Sequence, residues 1–79
     1  MDKELRSRIK SVDSHMNPKE VKELVEKDPC FALLVLQDHG TATRTGELFV
    51  MYFGGREGLH RRAANVDCKD VDLGILGQV

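Results

Sequence analysis

Tryptophan is absent from these 79 residues, and other aromatic side chains are few: three phenylalanines and one tyrosine. So sparse a supply argues against a binder of single-stranded nucleic acid, which needs exposed rings for base stacking. Cysteine is scarce as well. Cys30 and Cys68 are the only two, and the chain opens with the charged run Met1-Asp2-Lys3-Glu4-Leu5-Arg6 rather than an apolar leader. From this we expect a reducing cytoplasm, with both thiols free. Long apolar runs are missing too. The longest, Cys30 to Leu36, falls well short of the roughly 18 residues that a membrane span requires. Charge of one sign is also lacking: the formal net charge is −1, which argues against both a bulk nucleic-acid binder and an acidic mimic of one.

What charge there is lies unevenly. Residues 1 to 29 balance seven basic against seven acidic side chains. Between His39 and Arg62 four arginines (Arg44, Arg56, Arg61 and Arg62) face only Glu47 and Glu57, whereas the tail sets Asp67, Asp70 and Asp72 against Lys69. A chain of this size forms one domain, 1 to 79, with a thin core, burying only about 60% of the surface its unfolded form exposes.

Apolar periodicity begins at Leu5, Ile9, Val12 and Met16, spaced four, three and four, which places them on one stripe of a helix from Asp2 to about His15. Asn17-Pro18 followed by Glu20 has the spacing of a capping box with proline at the first helical position. A second helix is therefore expected from Pro18 to about Lys27, with Val21, Leu24 and Val25 inward and Asp28-Pro29 ending it. Phe31 to Leu36 and Leu48 to Phe53 are continuous apolar runs bounded by proline or glycine, and both read as strands buried on two faces. Between them Thr41 to Glu47 reads as the polar tip of a long hairpin. After the loop Gly54-Gly55-Arg56-Glu57-Gly58 a short third helix is expected over Leu59 to Asn65, and Val66 to Val79 as a weakly structured tail. The expected fold class is thus α+β: two N-terminal helices packed on a small antiparallel sheet.

Three sets of residues bear on chemistry. The glycine loop between an apolar strand and a helix start has the layout that aims backbone amides at an anion, but its spacing matches neither a phosphate-binding loop nor a dinucleotide fingerprint. His15, Cys30, His39, His60 and Cys68 supply zinc-ligand chemistry, but without a close Cys or His pair, so no metal is expected. A Cys, His and Asp set (Cys30 or Cys68, His39 or His60, Asp38) has no nucleophile turn behind it. No catalytic residue and no cofactor are assigned.

The remaining expectation is a non-enzymatic protein-binding module that acts stoichiometrically as a regulator or inhibitor, as short accessory proteins of phages and mobile elements do. Its partner-binding residues are Thr43, Arg44, Arg56, His60, Arg61 and Arg62, since exposed arginines make strong bidentate contacts. The alternative is a nucleic-acid binder that uses the same arginines with Tyr52. Because both expected strands are apolar on two faces, a homodimer that covers one face or pairs the sheet edges also follows.

Overall fold

A computed structural model describes residues 3–66, and every element in that span is helical. The order is α1 (Lys3–Ser11), α2 (Pro18–Lys27), α3 (Pro29–His39), α4 (Arg44–Phe53) and α5 (Arg56–Ala63), with no strand among the described residues. The two expected strands are the middle of α3 and the second half of α4, so the α+β class, the hairpin and the sheet are all corrected to an all-α fold. The expected tail after Val66 lies outside the described residues. None of the five helices is long and apolar enough to cross a membrane.

The physical reason for the correction is clearest in α3. Pro29 to Leu36 are all buried, and a helix buried all round shows no amphipathic period, so its sequence cannot be told from a two-faced strand. Its ends decide the matter. The Asp28 carboxylate accepts from the Phe31 amide at 3.1 Å, Pro29 occupies the first turn, and Gly40 closes the helix with φ of 80°. Four helices wrap this one: α5 packs against it most extensively, with α2, α4 and α1 around the rest.

In α4, the threonine-rich stretch expected at a hairpin tip forms the N-cap and first turn. The Thr43 hydroxyl accepts from the Gly46 amide at 3.0 Å, and Gly54 ends the helix in the left-handed region, its amide reaching back to the Val50 carbonyl. Thr45, Leu48 and Phe49 are buried along one stripe. This i, i+3, i+4 spacing is the helical period, hidden by a threonine in the position of an apolar residue.

The N-terminal helices follow their sequence signals more closely. Asn17 and Glu20 form the reciprocal capping box, at 2.8 Å from the Glu20 amide and 3.2 Å from the Asn17 amide, and α2 has the expected bounds. Leu5 and Ile9 are buried, with Val12 and Met16 packed against the core, although α1 ends at Ser11 and not near His15. The third expected helix exists as α5, which starts three residues earlier and ends two residues earlier than expected. Cys30, expected as a free thiol, is disulfide-bonded; the other cysteine of the chain, Cys68, lies outside the described residues.

Among the described residues one polar side chain is buried, and it ties the first connection to the core. Thr45 has no exposed surface; its hydroxyl donates to the Asp13 carbonyl at 2.9 Å and accepts from the Met16 amide at 3.1 Å. Its own amide donates to the Ser14 carbonyl at 2.8 Å. Thr45→Val keeps the shape but strands two backbone groups, and should cost about 2 kcal/mol, or roughly 8–16 °C in Tm for a domain of this size. Thr45→Ser should recover most of the loss in a thermal melt. Equal melting of the valine and wild-type chains would show that the two bonds contribute nothing net.

Candidate functional site

The residues expected to form one arginine-rich surface are distributed over several. Thr43 is engaged in the fold: besides capping α4, its hydroxyl donates to the Gly40 carbonyl at 3.3 Å. Arg44 is exposed and pairs with Glu47 at 3.7 Å. Arg61 pairs with Glu57 along α5 at 3.6 Å, and His60 beside it is half-buried. Arg56 borders a shallow groove of about 300 Å³ with Leu36, Gln37, Gly40 and Thr41. Arg62 leaves α5 on another side, where it borders a groove of about 450 Å³ with Val25, Lys27 and Pro29. Thr43 and Arg56 thus flank the connection after α3, and Arg62 sits apart from them. Since Arg62 is six positions after Arg56, a helix turning about 100° per residue directs the two roughly 120° apart.

A different surface stands out on α4. Val50, Met51 and Tyr52 are 47%, 65% and 41% exposed, three consecutive large apolar residues at the end of a helix whose opposite side is fully buried. At about 100° per residue, Val50 lies opposite the buried stripe and Met51 beside it, whereas Tyr52, seven residues after Thr45, continues that stripe past the covered core. The two aromatic rings of this last turn each carry a cation from a neighbouring helix. The Lys22 ammonium of α2 lies 4.4 Å from the Tyr52 ring centroid, and the Arg62 guanidinium of α5 lies 4.9 Å from that of Phe53. One to two turns toward the N-terminus, on the same side as Val50 and Met51, lies the Arg44–Glu47 pair.

Sequence reasoning missed Val50, Met51 and Lys22, and took Tyr52 only as a stacking ring. The signal was available once α4 is read with the helical period: with Thr45, Leu48 and Phe49 inward, Val50 and Met51 have nowhere to point but outward.

The remaining chemistry-bearing side chains are engaged elsewhere. His39 Nε2 meets the Val12 carbonyl at 3.1 Å and its Nδ1 faces Asp38 at 3.5 Å. Among the described residues no three His, Cys, Asp or Glu side chains converge as metal ligands would. Comparison of the chain with protein-family models, with curated proteins and with solved structures found no match.

Proposed function

We propose that this chain is a non-enzymatic protein-binding module, a stoichiometric regulator or inhibitor that meets its partner through the outer face of α4. The observation that carries the reading is the run of exposed apolar side chains Val50, Met51 and Tyr52. Methionine, tyrosine and arginine are enriched at protein interfaces, and tyrosine and arginine at their hot spots; all three types meet here. Scattered single apolar residues on a surface need no explanation, but a contiguous group does.

Magnitudes bound what the patch does. Fully burying a large apolar side chain is worth about 1.5–3 kcal/mol, so three that are about half exposed contribute on the order of 3 kcal/mol. A micromolar complex needs about 8 kcal/mol. The exposed apolar side chains therefore supply an anchor, and polar groups around them supply the remainder.

The nucleic-acid alternative fits this geometry less well. Lys22 and Arg62 already cover faces of Tyr52 and Phe53, where bases would have to stack, and the arginines do not form one stripe for a phosphate backbone to follow. A disulfide at Cys30 replaces one of the two free thiols expected. The binding role does not depend on the compartment.

A photo-crosslinking residue at position 51, compared with one at the exposed Lys10 of α1, tests the proposal in the source cell. The expected result is one defined protein adduct from position 51, competed away by excess unlabelled wild-type chain but not by the Met51→Glu chain. Equal adducts from both positions, or an adduct removed by nuclease, would refute it.

A further inference from the structure

We infer that residues 69–79 of this chain occupy the groove between α1 and α3, clasped there by a Cys30–Cys68 disulfide, with Asp70 and Asp72 set against Arg6 and Lys10. Two observations carry the clasp. Cys30 is disulfide-bonded, and Cys68 is the one other cysteine of the sequence. Val66, the last described residue, borders the same small groove as Pro29, the neighbour of Cys30 in α3. Two further residues span at most about 7 Å, and the Cα atoms of a disulfide lie about 4.4–6.8 Å apart. The end of the described chain thus stands within reach of an intrachain bond to Cys30.

From that clasp one stripe of α3 leads to the groove. Leu34 and Asp38 follow Cys30 at four and eight positions, on the same side of the helix and about 6 and 12 Å further along it. Beside the stripe stands α1, held at the start of α3 by Arg8, which pairs with Asp28 at 3.9 Å and lies 4.3 Å from the Phe31 ring centroid. The groove between the two helices measures about 470 Å³, with Ile9 and Leu34 in its floor and Arg6, Lys10, Gln37 and Asp38 around them. Its charge is uncompensated. Arg6 and Lys10 make no ion pair with a described residue, where the paired cations are Arg8, His39, Arg44 and Arg61, and the Asp38 carboxylate is already faced by His39 Nδ1 at 3.5 Å. The complement of this groove is a segment with carboxylates on one side and apolar side chains on the other. Residues 69–79 supply it, since Asp70 and Asp72 alternate with Val71 and Leu73. In an extended segment alternate residues share a side at a spacing of about 6.6 Å, close to the rise of about 6 Å between Arg6 and Lys10 on their helix. Both carboxylates then meet both cations while Val71 and Leu73 turn to the floor. A separate acidic peptide or a second copy offers the same chemistry, but the clasp makes this contact intramolecular, at an effective concentration of millimolar order.

The test is nuclear magnetic resonance of the full chain purified without reductant, preceded by mass spectrometry of its unreduced digest. The expected result is one Cys30–Cys68 linkage within a monomer, and nuclear Overhauser contacts from the methyl groups of Val71 or Leu73 to those of Ile9 or Leu34. Arg6→Glu with Lys10→Glu should weaken these contacts roughly fivefold or more, and Asp70→Lys with Asp72→Lys in that background should restore them. Should the reversed chain lose its helical circular dichroism, Arg6→Gln with Lys10→Gln makes the same comparison, with a roughly twofold weakening expected. Dithiothreitol, which leaves two thiols on the protein and is itself oxidised to its cyclic disulfide, should weaken the contacts as well, and Cys68→Ser should match the reduced chain. An intact clasp without contact between the segment and Ile9 or Leu34, or contacts that ignore the charge reversal, would overturn the inference. So would contacts that pass between labelled and unlabelled copies in a mixed sample, a Cys30–Cys30 bond between two chains, or two free thiols.

Discussion

Replacing Phe49 by alanine should leave the domain at the margin of folding. Phe49 has no exposed surface and is the largest of the fully buried side chains, placed where α4 turns its inner face to the core. Truncating a buried phenylalanine costs about 3–5 kcal/mol, from lost transfer energy and from the cavity left behind. At roughly 0.05–0.15 kcal/mol per residue, a chain of this length has about 4–12 kcal/mol in total. The expected outcome in urea, followed by the helical circular dichroism signal, is a midpoint lowered by a quarter or more, with partial unfolding before denaturant is added if the wild type lies at the weak end of the range. Phe49→Leu retains most of the volume and should lose less than half as much. A Phe49→Ala midpoint equal to wild type would mean that α4 does not carry the core as described.

Gly58→Ala should also destabilise, against what helix propensity alone implies. In an ordinary helix interior alanine is better than glycine by about 1 kcal/mol, and Gly58 lies within α5. Here a methyl group would overlap the carbonyl oxygen of Phe53 and come within 2.6 Å of its carbonyl carbon. Both atoms belong to the backbone and cannot swing aside, so α5 must move away from the end of α4. Such overpacking costs about 1–3 kcal/mol or more, which outweighs the propensity gain. Gly54→Ala makes a useful contrast: its φ of 82° strains any side chain, but nothing lies within 4 Å of the added carbon, so it should cost only the left-handed penalty of roughly 1–2 kcal/mol. Because Arg62 of α5 stacks on Phe53 of α4, Gly58→Ala should disturb the proposed interface as well as the melt. A Gly58→Ala chain that melts above wild type would show that the two helices are not in this contact.

How much of this was legible in the sequence differs from helix to helix. The capping box at Asn17 and Glu20 and the Leu5, Ile9, Val12, Met16 stripe are local signals, and local structure follows them. For α3 the central position erased the signal: with Phe31 to Leu36 buried on every side, only the capping Asp28, Pro29 and Gly40 distinguish helix from strand. In α4 the buried Thr45 interrupted the apolar period, and the helix start was taken for a polar loop. The candidate interface suffered from the same error. On a strand, Val50 and Tyr52 share one face and Met51 takes the other, whereas the helix turns Val50 and Met51 to its outer side and leaves Tyr52 in line with the buried stripe. The argument for a dimer through sheet edges lapses with the sheet. The split of the arginines could not be foreseen from spacing alone, because it depends on which neighbours α5 meets.

The ties at Thr45 also bear on the order in which the protein assembles. The connection between α1 and α2 is fixed by bonds from Thr45 to Asp13, Ser14 and Met16, and by His39 to Val12, partners 27 to 32 residues further along the chain. During synthesis the first two helices therefore leave the ribosome before anything exists to hold them, and the stripes of Leu5, Ile9, Val21 and Val25 stay uncovered until α3 and α4 follow. Chains that emerge N-terminus first expose such surface to aggregation for as long as the wait lasts. The dense charge of residues 1 to 29, seven basic and seven acidic, favours hydration of that segment until α3 and α4 follow.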